Sequence, residues 1–378
     1  MTVPQMSEVR ALDHATVPTA RPHLPQLDAL RGAAAAMVLL FHIYGDVYRS
    51  QLAAPRPPWS GFFADGLSLT RLVALPCALG YAGVPLFFVL SGFCIHYAQL
   101  RSPAPFSYGR FMWRRAWRIY PAYLAAIAVA LLLLPGPLQS VHHLRKTLLL
   151  HLAMLHNFFD HDIFELNPSF WTLPIEFQFY AGYPLLLWMR RKIGMTWATG
   201  VAVAVSLVLV GWLCLRGGSA KIEANPLVFW GQWCIGALIA ERFIQGRPIL
   251  LKPARVLPIC LPLVLLATPS RYWTWAAPLW ALVFAALIDA WVRRDARWLP
   301  RWTLWLGTIS YSLYLLHQSL ISLILSHLPA TSDARFATML LVAPAPIVVV
   351  AATSYYLFER PGMWIGHRVG PGRRAGQT

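Results

Sequence analysis

The 378-residue chain is 57% hydrophobic and 12% charged, with a mean hydropathy of +0.52. That balance excludes an ordinary soluble globule and leaves an all-α polytopic membrane protein. Its 17 tryptophans suit a chain with many membrane–water boundaries, and the net charge of +17, which in a soluble chain would point to nucleic acid, is read here by where the basic residues lie.

Residues 1–26 are polar and proline-containing with no apolar core, so they read as a flexible cytoplasmic tail and not as a cleavable signal. Ten apolar runs follow, each long enough to span: 27–47, 81–99, 116–134, 171–190, 196–215, 225–242, 250–268, 273–292, 303–326 and 336–358. With the N-terminus in the cytoplasm, Lys and Arg fall more than two to one on that side, so both termini are expected there. Residues 27–358 form the transmembrane domain and 359–378 a basic cytoplasmic tail, with no appended soluble domain expected. The stretch Leu144 to Phe159 is also apolar. Letting it cross would move Arg190, Arg191 and Lys192 and the basic cluster from Arg242 to Arg255 outside, so it reads as a re-entrant or interfacial helix in a long outer loop. A second long outer loop joins the first two runs. Cys77, Cys94, Cys214, Cys234 and Cys260 are scattered singly through apolar segments and read as packing residues. His142, His143, His151, His156 and His161 crowd the outer loop, but spacings of five among the last three do not put two imidazoles on one helical face, and no metal site is expected.

The opening helix, LDALRGAAAAMVLLFHIYGD, carries Arg31 near its start and His42 eleven residues on, a rise of roughly 16 Å or half the hydrocarbon thickness of a bilayer. Ionisable groups at such depths are tolerated where they face protein or water, and so mark a site. The plainer alternative is a snorkelling Arg31 and a His42 in an ordinary interhelical hydrogen bond. Asp46 lies one turn beyond His42, where a carboxylate could fix the imidazole as a general base or simply end the helix. The pattern L-D-x-L-R-G, apolar residues, then F-H resembles the first helix of the acyltransferase-3 family of integral membrane acyltransferases.

Further elements resemble that family in order. GVPLFFVLSGFCI, from Gly83, is similar to its second helix, although Pro85 stands where many relatives have Asp; Asp46 or Asp65 would have to supply that carboxylate. Gly83, Ser91 and Gly92 read as close-approach positions. RFMWRRAWRIYP resembles the family's R-R-x-x-R-I-x-P element, and its guanidiniums at Arg114, Arg115 and Arg118 suit phosphate or an anionic lipid anchor. PSFWTLPIEFQFYAGYP resembles W-S-L-S-x-E-x-Q-F-Y, with Glu176 expected to partner His42, or alternatively Arg71 or Arg145. ISYSLYLLHQSLI resembles S-Y-S-L-Y-L-x-H and places His317 at mid-membrane depth, and FERP matches the family's ending, where Glu359 reads as the partner of a basic neighbour.

The resemblance implies a membrane O-acyltransferase of the cytoplasmic (inner) cell membrane, using acyl-CoA, in the simplest case acetyl-CoA, as co-substrate and no tightly bound cofactor. It implies phosphates on Arg31, Arg114, Arg115 and Arg118, with His42 either as base or as carrier of an acyl-histidine intermediate and Glu176 or Asp46 supporting it. Trp171, Gln178, Tyr180, Tyr314 and His317 are implied around a carbohydrate acceptor, with the lipid bilayer as the other partner and no nucleic acid. A transporter or flippase moving a glycolipid or small anion along a basic cavity is the competing class.

Overall fold

The computed structural model describes residues 23–52, 76–133, 141–217, 219–249, 252–267, 273–328 and 332–370. All regular structure among them is helical. The chain runs α1 (Pro25–Leu52), α2 (Gly83–Leu100), α3 (Tyr108–Leu133), α4 (Val141–Leu152), α5 (Thr172–Arg216), α6 (Ala220–Glu223) and α7 (Pro226–Ile244). It continues with α8 (Pro253–Ala267), α9 (Trp273–Val292), α10 (Arg301–Thr308), α11 (Ser310–Ser326), α12 (Ser332–Leu341), α13 (Pro344–Ser354) and α14 (Arg360–Arg368).

Each of the ten apolar runs contains helix among its described residues, but by length and apolarity six helices among the described residues can cross a membrane, or seven if α10 and α11 count as one bent span. The difference from ten has three sources. The stretch Pro168–Arg216 holds two of the runs, parted where Gly194 takes φ 79°, a left-handed conformation that breaks the ladder and that a residue without Cβ adopts cheaply. The ninth run is bent by 72° between α10 and α11. The seventh and eighth form shorter apolar helices, Pro253–Leu265 and Ala276–Val292.

The stretch from Leu144 does not add a span. Its helix, α4, has 12 residues, which is about 18 Å and too short for a bilayer core. The chain then folds back through a 3-10 turn at His156–Phe158 to a second at Pro168–Trp171, where Asn167 caps the backbone of Ser169. All five cysteines are free, and Cys77, Cys234 and Cys260 are buried, as packing residues should be.

Close approach is set by small residues. A Cβ on Gly92 would meet the carbonyl of Trp233, and one on Gly236 the carbonyl of Val89, so α2 and α7 pack backbone to backbone. Gly83 likewise lies against the carbonyl of Ala34 on α1. Helix α14 folds back on α3, with Gly362 against Pro121 and Trp117. These contacts gather α1, α2, α3, the start of α5 and α11 around one internal space.

A candidate active site in three chambers

Three chambers follow one another along the helix axes. The inner one, about 1110 Å³, is lined by Arg31, Arg110, Arg114, Arg115, Arg118 and the linker between α2 and α3. The middle one, about 820 Å³, shares Arg31, Arg115 and Arg118 with it and adds Ser91, Glu176, Tyr180 and Tyr314. The outer one, about 1350 Å³, shares Val84 and Tyr314 with the middle and adds His42, Phe41, Tyr81, Trp171 and Glu223. Arg31 and His42 thus open onto opposite ends of the sequence of chambers, as their eleven-residue spacing requires.

The four arginines are not equivalent. Arg31 lies 3.7 Å from Asp28 in the first turn of α1. Arg118 faces the fully buried Glu359 at 3.8 Å and Met363 Sδ at 2.9 Å, so Glu359 has the basic partner its sequence context predicts, and Ser312 Oγ donates to its other oxygen at 2.8 Å. Among the described residues Arg115 pairs with no carboxylate: its guanidinium sits 5.5 Å from the ring centres of both Phe111 and Tyr180, and its Nε is buried without an acceptor. A cation held by π-faces alone keeps its donors for a ligand. Arg114 lines the inner chamber.

Glu176 accepts from Ser91 Oγ at 2.9 Å and from the Tyr180 hydroxyl. Ser91 in turn accepts from Trp233 Nε1 at 3.2 Å. The carboxylate therefore belongs to the middle chamber and is satisfied there, where the sequence had paired it with His42 or a basic residue. Of the alternative partners considered for it, Arg71 lies outside the described residues and Arg145 is on α4.

His42 has a different neighbour. Its Nδ1 lies 3.0 Å from the carbonyl of Val38 and 3.1 Å from His317 Nε2, while His317 Nδ1 lies 2.7 Å from the carbonyl of Tyr314. A carbonyl only accepts, so each Nδ1 carries the proton; His317 Nε2 then accepts from His42, and the lone pair of His42 resides on Nε2. Asp46 is engaged elsewhere, accepting from Gln318 Nε2 at 2.6 Å. Among the described residues the side chain that faces His42 Nδ1 is the imidazole of His317; Asp65, considered in place of the carboxylate missing at Pro85, lies outside the described residues. Tyr314 closes the waist between middle and outer chambers, its hydroxyl donating to the Ser169 carbonyl at 2.9 Å and lying 2.7 Å from Thr172 Oγ1.

Of the residues expected around the acceptor, Trp171 lines the outer chamber, Tyr180 the middle one and Tyr314 both, while His317 sits behind His42. Gln178 lines none of the three. Its amide is paired with that of Asn157, at 2.9 and 3.2 Å, and with the carbonyl of Met154, clamping the outer segment onto α5. In that segment His151 and His156 stack with ring centres 3.7 Å apart, and His151 Nδ1 lies 2.8 Å from the Tyr123 hydroxyl. Burial depresses both, His151 to about 4 and His156 to about 3, so both are neutral. No three potential metal ligands converge among the described residues. Sequence reading passed over Ser91 as a packing residue and Gln318 beside His317; Glu223, alone in a short connection, carried no signal.

Comparison with known proteins agrees with this architecture. The acyltransferase domain family matches residues 24–358. Nodulation protein 10 of Rhizobium leguminosarum bv. viciae is 26% identical over 90% of this chain and 94% of its own length. The exopolysaccharide production protein ExoZ of Rhizobium meliloti (strain 1021) is 28% identical over 75% of this chain and 89% of its own. Acyltransferase MdmB of Streptomyces mycarofaciens is 29% identical over 49% of this chain and 46% of its own. No solved structure matches. The chain belongs to the acyltransferase family, and it is a multi-pass membrane enzyme of the O-acyltransferase class.

Proposed function

We propose that this acyltransferase moves an acyl group, acetyl in the simplest case, from acyl-CoA in the inner chamber to a hydroxyl of a cell-surface or lipid-linked carbohydrate in the outer one. The observation that carries the reading is the order of the chambers: guanidiniums at one end, a polar middle chamber with Ser91, Glu176 and Tyr180, and an imidazole in the aromatic chamber beyond. The name of ExoZ, an exopolysaccharide production protein, supports a carbohydrate acceptor.

In this mechanism the CoA phosphates dock on Arg31, Arg114, Arg115 and Arg118 from the cytoplasm, and the pantetheine arm passes Glu176, Ser91 and Tyr180 to bring the thioester to the waist. His42 Nε2 takes the proton of the acceptor hydroxyl as its oxygen attacks the thioester carbon. The tetrahedral intermediate collapses with cleavage of the C–S bond, and the imidazolium returns the proton to the departing CoA thiolate. His317 Nε2 holds His42 Nδ1–H throughout, fixing the tautomer as the third group of a catalytic triad does. Glu176 lies on the donor's route and steadies it; Asp46, through Gln318, braces α1 against α11. The ten-run topology with both termini in the cytoplasm of the inner membrane is part of the same proposal.

The test is CoA release by purified protein given acetyl-CoA and a glycan. Release that requires both and disappears in His42→Ala supports acyl transfer. Glycan movement across proteoliposomes without CoA release would instead make the protein a transporter.

A further inference from the structure

Glu223 stands out among the residues of the outer chamber because no group among the described residues uses its side chain. It ends the single turn α6, and the backbone on either side is pinned. Lys221 N donates to Asp160 Oδ1 at 2.9 Å and its ammonium lies 3.1 Å from the same carboxylate; Asn157 Nδ2 donates to the Ala224 carbonyl at 3.1 Å; Asn225 caps α7 through Leu227 N. Among the described residues Glu223 itself makes no hydrogen bond or ion pair, although it is half-buried in the chamber that His42 faces. A partly desolvated carboxylate held rigidly without a donor is unfavourable until a ligand brings donors to it.

The chamber's chemistry says what kind of ligand. Phe41, Tyr81 and Trp171 offer aromatic faces, and among the described residues Glu223 is the carboxylate that lines it. Aromatic faces suit the C–H faces of sugar rings, and a carboxylate can accept from two vicinal hydroxyls at once. Anionic character at this end, opposite the guanidiniums of the inner chamber, also disfavours a second negative charge in a low-dielectric space. We propose that Glu223 is the acceptor-selecting residue: it binds hydroxyls of an uncharged sugar unit next to His42 and turns away acidic units. The inference rests on acyl transfer to carbohydrate and adds which carbohydrates are taken.

The experiment measures CoA release from acetyl-CoA with two probes, the neutral cellotetraose and the acidic tetragalacturonate, for the wild type, Glu223→Gln and Glu223→Asp. The wild type is expected to use cellotetraose and refuse tetragalacturonate. Glu223→Gln should raise the KM for cellotetraose about tenfold or more, the loss expected for charged hydrogen bonds, and should admit tetragalacturonate, with the KM for acetyl-CoA unchanged. Glu223→Asp, which keeps the charge, should still exclude the acid. An unchanged acceptor KM and unchanged selectivity in Glu223→Gln, or a wild type that prefers tetragalacturonate, overturns the assignment while leaving acyl transfer intact. No CoA release by the wild type with either glycan overturns the carbohydrate reading and this assignment with it.

Discussion

His42 Nδ1 lies 3.1 Å from His317 Nε2, across the interface of α1 and α11. The two residues are 275 positions apart in the chain, so the imidazole proposed as the base meets His317 only when the last helices have packed against the first. Replacing His317 with Ala is expected to lower kcat by about 10²-fold or more, by analogy with loss of the orienting group in a triad, while both KM values move little. His42→Ala should abolish transfer, and the double variant should be no worse than His42→Ala alone. A His317→Ala enzyme with wild-type kcat would remove it from the mechanism.

Arg115 and Arg118 should fail differently. Arg115→Ala is expected to raise the KM for acetyl-CoA with little change in melting temperature, since its cation has no protein carboxylate to abandon. Arg118→Ala leaves the buried Glu359 without its ion-pair partner, so detergent-solubilised protein should also lose about 1–3 kcal/mol of stability. Both KM effects should shrink as salt rises. Arg115→Lys should not restore the donor KM, because an ammonium lacks the planar face that stacks on Phe111 and Tyr180. An effect confined to acceptor KM would count against phosphate binding.

How far these residues were legible depended on what fixes them. The ordered elements carrying Arg31, His42, Arg115, Glu176 and His317 were readable because deep polar groups in apolar helices are conspicuous. Their partners were not. The i,i+4 spacing of His42 and Asp46 is visible in one dimension, whereas the contacts of His42 with His317 and of Asp46 with Gln318 come from helix packing. Span counting suffered likewise: hydropathy finds apolar runs, but a glycine at φ 79° and a 72° bend are backbone facts that a hydropathy profile averages away.

Gln178 is expected to behave as a clamp. Gln178→Ala breaks its pairing with Asn157 and frees the carbonyl of Met154, which should cost about 1–3 kcal/mol and increase protease cleavage between residues 153 and 167. Acceptor KM should stay within a factor of about 2, measured at a temperature where the variant is folded. A large acceptor KM change with unaltered proteolysis would return Gln178 to the substrate.

Acid should loosen the same segment. His151 and His156 are held neutral by burial, at about 4 and about 3, below the value of about 6.5 in an unfolded chain. Between those values the unfolded state binds more protons, so stability is full above about pH 6.5 and falls as pH drops toward 3. The melting temperature should therefore decline from pH 7 to pH 4, and His151→Phe with His156→Phe should flatten that decline. A profile equally steep in the double variant would place the titrating groups elsewhere.

Sidedness is open to direct labelling. His161 and Lys192 are both exposed and flank the start of α5 and the break at Gly194. In a cysteine-free background, cysteine at 161 should react with an impermeant thiol reagent from outside and cysteine at 192 from inside. Labelling in the reverse pattern would invert the downstream topology and end the proposal that donor and acceptor approach from opposite faces.

On the proposed topology the chambers form a passage through the bilayer that would invite ion leakage, and Tyr314 and Val84, shared by the middle and outer chambers, stand in its way. Tyr314 is tethered at its hydroxyl and packed edge-on against Phe87 at 5.8 Å, so the narrowest point is rigid and largely apolar, and dehydrating an ion there is costly. The guanidiniums at one mouth repel protons and sodium ions, and Glu223 at the other repels anions. An acyl group, uncharged and carried on a tether, is thus what can reach the junction. On the proposed topology, chemistry would then be handed across the membrane without added conductance, and so without draining the gradients that the cell stores there.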